Sequence, residues 1–199
     1  MMNKLITTLL AALVLSAGPA SASGGDDILL EPAPINRLDN ESLQRGARTF
    51  VNYCLNCHSA KYMRYNRLTD LGLTEEQIKD NLILNGAKIR DPMTVAMPAA
   101  DAKVWFGAPP PDLSVESRVR GRDWLYNYFL SFYKDDTPTG WNNLVFPNVG
   151  MPHVLWQLSG PNMLNTQTFD DHDKAVSAAI AMKGLTKIYP GGRKVLENI

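Results

Sequence analysis

The sequence predicts an all-α fold interrupted by long irregular insertions. Three observations carry that expectation. Leu43, Ala47, Phe50 and Cys54 follow one another at intervals of four, three and four residues, the period of a single helix face. No stretch alternates apolar and polar residues convincingly enough to read as a half-buried strand. Finally, Cys54-Leu55-Asn56-Cys57-His58 concentrates two thiols and an imidazole at the end of that helix face.

That motif has the spacing of c-type haem attachment. Two thiols one turn apart can each add across a haem vinyl group to form a thioether. The adjacent His58 then offers an imidazole nitrogen to the iron. A thioredoxin-like redox pair would need a βαβ context, and the flanks read as helix. A zinc site would need two further ligands, yet His153 and His172 are the other histidines. The chain has 2 cysteines, so no disulfide framework competes for them.

With 199 residues, 45% hydrophobic and 20% charged, the chain suits one soluble domain with appendages. A formal net charge of +0 gives no footprint for nucleic acid or another strongly charged partner. Lys4, the apolar run Leu5 to Ala17 and Ala20-Ser21-Ala22 form a signal peptide over residues 1–22. Its apolar run is shorter than the roughly 20 residues a membrane span needs. Export suits the chemistry, because haem thioethers form on the outer side of the bacterial inner membrane.

Residues 23–37, with Gly24, Gly25, Pro32 and Pro34, read as an extended arm. Asp39 or Asn40 caps a helix starting near Glu41. Its apolar face, with Leu43 and Phe50, delivers the thiols to the haem edge. Ser59 to Leu68 is rich in aromatic and basic residues, suited either to propionate contacts or to solvent. Thr74-Glu75-Glu76-Gln77 is a capping box opening a short helix with Ile78 and Leu82. Ile89 to Ser114 is irregular apart from a helix around Asp101 to Phe106. Gly107-Ala108-Pro109-Pro110-Pro111-Asp112-Leu113-Ser114 is extended, since proline lacks the helix donor. A helical stretch carrying Arg118 and Arg120 follows, then a longer helix from Arg122 to Tyr133 with Trp124, Leu125, Tyr128, Phe129 and Phe132 as core. Asp135 to Gly150 reads as loop. A short helix through Val154, Leu155 and Leu158 and a last one over Asp171 to Lys183 complete the chain.

A haem held by one histidine needs a sixth ligand, and methionine favours electron transfer by raising the potential. Met97-Pro98 and Met151-Pro152 fit equally by pattern, with His153 as a third candidate.

The Gly107 to Ser114 run, then Arg118-Val119-Arg120, then Trp141-Asn142-Asn143-Leu144-Val145-Phe146-Pro147-Asn148-Val149-Gly150-Met151-Pro152, in that order after the cysteine motif, resemble the cytochrome c1 family. These are the haem subunits of the respiratory quinol–cytochrome c oxidoreductase. The resemblance covers residues 30 to 168. It implies a cytochrome-c-like haem domain over residues 38–168 with one covalently bound haem c. It implies thioethers at Cys54 and Cys57, and iron ligation by His58 and Met151. Arg120 would stand near a propionate, and Pro110, Pro111 and Leu113 beside the haem. The implied job is one-electron relay from a Rieske iron–sulfur subunit to a soluble cytochrome c, alongside cytochrome b, at the periplasmic face of the bacterial inner membrane. No substrate is transformed by the chain itself.

One departure stands out. The family ends in a transmembrane helix, whereas residues 169–199 contain no apolar run of that length and carry Lys187, Arg193, Lys194 and Glu197. Membrane association is then expected through the complex. The rival readings are a soluble periplasmic cytochrome shuttle, the cytochrome subunit of a periplasmic dehydrogenase, and a haem-free thiol oxidoreductase.

Overall fold

In the computed structural model, residues 28–167 and the strand segments Thr186–Tyr189 and Gly192–Asn198 are described. The expected signal peptide and the helix expected over Asp171 to Lys183 lie outside the described residues.

Strand β1 (Ile28–Leu29) begins the arm, which then runs irregularly to Asp39. Helix α1 (Asn40–Thr49) starts where Asp39 Oδ1 accepts the Ser42 amide at 2.9 Å, satisfying one of the free N–H groups of the first turn. It passes directly into a π-helical turn, Phe50–Cys54. Strand β2 (Ala60–Arg64) and a 3-10 turn (Tyr65–Leu71) follow. Helix α2 (Glu75–Leu82) opens on the full capping box of Thr74 and Gln77. Strand β3 (Pro92–Met93) pairs with β2 across an irregular register. Val51, Leu55, Tyr65, Leu68, Ile78, Leu82 and Met93 bury a first core here.

Helix α3 (Ala99–Phe106) ends at Gly107 in the left-handed region, φ +79. The proline run beyond it is extended, as its composition dictates. Helices α4 (Glu116–Val119) and α5 (Arg122–Leu130) come next. Strands β4 (Phe132–Lys134) and β5 (Trp141–Asn143) form an antiparallel hairpin. Helix α6 (Trp156–Ser159) and strand β6 (Asn162–Gln167) follow. A second core gathers Tyr128, Phe132, Tyr133, Trp141, Leu144, Val145 and Val149, with Met151 packed against it. Strands β7 (Thr186–Tyr189) and β8 (Gly192–Asn198) complete an antiparallel sheet ordered β1-β7-β8-β6.

The all-α expectation is therefore wrong: the described residues hold three small antiparallel sheets beside the helices. The helix expected to reach Tyr133 stops at Leu130. Asn143 Nδ2 donates to the Tyr128 carbonyl at 2.7 Å, and Ser131 Oγ donates to the same carbonyl at 3.2 Å. These bonds occupy an acceptor that the next helical turn would need. Phe132–Lys134 then pair with Trp141–Asn143, inside a stretch that reads as loop. Strands of two or three residues are too short to show alternation. The stretch expected as a divergent tail likewise pairs along β6, from Asn162 opposite Asn198 to Gln167 opposite Arg193.

Candidate functional site

The cysteine motif folds as one tight turn. The Cys54 carbonyl accepts the amides of Cys57 at 3.1 Å and His58 at 2.9 Å. Both thiols are free and partly buried. Burial, and then the neighbouring Cys57, push the Cys54 thiol above its ordinary range. The turn is fed by the π-helical bond from the Leu55 amide to the Phe50 carbonyl, 3.0 Å. A π turn displaces the residues downstream of it by about one position relative to a continuous α-helix. Cys54 therefore leaves the strict Leu43–Ala47–Phe50 face that regular helical spacing predicts.

His58 and the proline segment meet. His58 Nδ1 lies 2.8 Å from the Pro111 carbonyl oxygen, so Nδ1–H is the donor and Nε2 is the basic nitrogen. That tautomer leaves a lone pair for a metal. The same segment is laced to the chain after His58 by three further bonds. The Leu113 amide donates to the Ser59 carbonyl at 2.7 Å, the Lys61 amide to Asp112 Oδ2 at 3.1 Å, and the Tyr62 amide to Ser114 Oγ at 3.0 Å. Pro110, Pro111 and Leu113 are thus brought beside His58.

Met151 belongs to the second core. Its Sδ accepts the Tyr128 hydroxyl at 3.4 Å. The loop leading to it is held by two asparagines. Asn143 is fully buried, and its Oδ1 accepts the amides of Val145 and Phe146, each at 2.9 Å. Asn142 Oδ1 accepts the Asn148 amide at 2.8 Å. Asn148 itself sits at φ 61, a conformation that asparagine tolerates better than most residues. These side chains replace a regular ladder and fix where Gly150 and Met151 emerge.

Arg120 pairs with Glu116 at 3.6 Å, and its guanidinium lies 4.8 Å from the Trp124 ring centre and 5.7 Å from that of Phe146. His153, a ligand candidate by pattern, is a core residue 1% exposed. Its ring stacks on Phe132 at 4.8 Å and its Nε2 lies 2.8 Å from Ser159 Oγ. Met97 is partly buried in an irregular stretch.

The residues present suit a haem. Cys54 and Cys57 offer two neighbouring thiols for thioether bonds to a haem's vinyl groups, and His58 offers an imidazole whose Nε2 is left for the iron by the Nδ1 bond. Val104, Trp105 and Phe106, just before the proline segment in sequence, are 82%, 64% and 43% exposed. The hold of Tyr128, Asn142 and Asn143 on Met151 and its loop is not legible in the residues alone. Tyr128 shares the aromatic stripe of α5 with ordinary core positions, and the asparagines declare themselves only through bonds to a distant loop.

Residues 31–182 match the profile of the Cytochrome C1 family. A protein of Nitrosomonas europaea named ammonia monooxygenase gamma subunit is 50% identical over 83% of this chain and 70% of its own length. Cytochrome c1 of Allochromatium vinosum is 52% identical over 80% of this chain and 65% of its own. Cytochrome c1 of Rhodospirillum rubrum is 30% identical over 64% and 56%. The match thus spans 56% to 70% of the length of these relatives. Among the described residues no helix is long and apolar enough to cross a membrane. With the motif, the His58 geometry and these matches together, the chain belongs to the cytochrome c1 family, electron-transfer c-type cytochromes of bc1-type complexes that carry one covalently bound haem c.

Proposed function

We infer that Cys54 and Cys57 would anchor the haem c, that His58 nitrogen and Met151 sulfur would bind its iron, and that Arg120 would pair with a propionate. In this reading the chain relays one electron from a Rieske iron–sulfur subunit to a soluble cytochrome c. It works beside cytochrome b at the periplasmic face of the bacterial inner membrane, with residues 38–168 as the haem domain.

The bond from His58 Nδ1 to the Pro111 carbonyl carries the reading. A backbone acceptor fixes the ring's tautomer and orientation, the usual support of a metal-bound histidine. When bound, the haem supplies a one-electron centre whose potential its ligands tune. The protein's own residues do the rest. Pro110 and Pro111 stiffen the histidine side, so that little reorganisation follows a change of charge. Asn142 and Asn143 do the same for the loop that presents Met151. A guanidinium such as that of Arg120 can pair bidentately with a carboxylate. Here it is already steered by Trp124, Phe146 and Glu116.

Affinity capture of the tagged full-length chain from membranes tests the assignment. Recovery with a cytochrome b and a Rieske protein, and quinol-dependent reduction of the c haem, are expected. Recovery as a solitary soluble haem protein would overturn it. The name of the Nitrosomonas europaea relative supports a second partner set, and recovery with monooxygenase subunits instead would favour that alternative.

A further inference from the structure

Tyr128 is unusually constrained for a residue with one polar atom. Its ring stacks on Trp124 at 5.1 Å with an interplanar angle of 10°, and meets Phe132 edge-on at 5.1 Å. Trp124 in turn carries the Arg120 guanidinium. The side chain is 8% exposed, and its hydroxyl, fixed by this packing, donates to Met151 Sδ at 3.4 Å. A phenol O–H is a donor at neutral pH and a thioether sulfur can only accept, so the direction of this bond is fixed.

A thioether sulfur has two lone pairs. One can face iron while the other accepts a weak hydrogen bond. A donor on the second pair withdraws electron density from sulfur. Ferric iron depends on that density more than ferrous iron does, so the bond favours the reduced state.

We propose that Tyr128 is the positioning residue for the Met151 thioether: its hydroxyl sets the sulfur's orientation and raises the haem potential. The inference rests on Met151 being the sixth ligand. Arg120, Trp124 and Tyr128 then form one stacked column joining the propionate-side cation to the methionine side of the iron.

Tyr128→Phe in the full-length haem-loaded chain removes one oxygen and keeps both ring contacts. Spectroelectrochemical titration should show a lower midpoint, and the weak sulfur-to-iron charge-transfer band should shift or weaken. Phe132→Leu disturbs the same packing but keeps the hydroxyl, and should leave the midpoint where it is. If Tyr128→Phe loads haem poorly, 3-fluorotyrosine at position 128 serves instead. It is a stronger donor of nearly the same shape and should move the midpoint upward. An unchanged midpoint in Tyr128→Phe, or in the fluorinated protein, would overturn the inference, as would equal shifts in Tyr128→Phe and Phe132→Leu. Met151→Ala is run alongside. If that variant keeps the charge-transfer band, the ligand assignment itself fails and this inference falls with it. If it loses the band while Tyr128→Phe matches wild type, only the role of Tyr128 is refuted.

Discussion

On the histidine side, adjacent residues do the work. A capped helix, a π turn and two amides on the Cys54 carbonyl gather both thiols and the imidazole within one turn. On the methionine side nothing is contiguous. Met151 is held by Tyr128 on α5, and its loop is held by Asn142 and Asn143 on β5. The first side is a local structure decorated by a distant proline segment. The second is a loop kept in shape by buried amides. Local bonds survive the loss of a neighbour, whereas a buried amide network fails as a unit.

The largest effect should come from the local side. Cys54→Ser with Cys57→Ser is expected to abolish covalent haem altogether, read as an absent alkaline pyridine haemochrome after acid extraction. Retained haem would mean that the cysteines are not the anchors.

Next comes Asn143→Leu. It leaves the amides of Val145 and Phe146 without their acceptor, each costing about 1–3 kcal/mol when buried, while the Tyr128 carbonyl keeps its bonds from Ser131. A loss of about 3 kcal/mol or more in denaturant unfolding is expected, with the methionine band weakened and the covalent haem intact. Loss below about 1 kcal/mol would show that the loop does not depend on this residue.

A smaller, pH-dependent effect should also sit on the methionine side. Burial, with the charge of Lys134 adding to it, holds the His153 imidazole below its ordinary range. The unfolded chain takes up a proton near about pH 6.5 that the folded chain resists. Stability attributable to His153 is therefore present above that pH and falls as pH drops below it. The slope is at most about 1.4 kcal/mol per pH unit. Chemical denaturation between about pH 7 and about pH 5 should show a shallower decline in His153→Gln than in wild type; parallel slopes would contradict the assignment.

The same contrast explains which features are legible in the residues alone. The thiols, His58, the capping box at Thr74 and the extended proline run are local, so spacing and residue type suffice. The helix end at Leu130 is not legible, because the shorter of the two side-chain bonds to the Tyr128 carbonyl comes from Asn143, distant in sequence, and only the other from nearby Ser131. Without that capture, Ser131 to Tyr133 continue a good aromatic helix face. The hairpin and the β6–β8 pairing escape for the same reason: their strands are defined by partners, not by pattern. Met151 separates from Met97 only through the family resemblance of the residues before it. Its seat on Tyr128 is a matter of tertiary packing, which spacing does not encode.

The central claim is that these two differently built sides grip one iron. The oxidised absorption spectra of Met151→Ala and Met97→Ala, compared with wild type, test it most directly. The account predicts that Met151→Ala loses the sulfur-to-iron charge-transfer band while keeping covalent haem, and that Met97→Ala keeps both. A band that disappears with Met97 and persists without Met151 would contradict it.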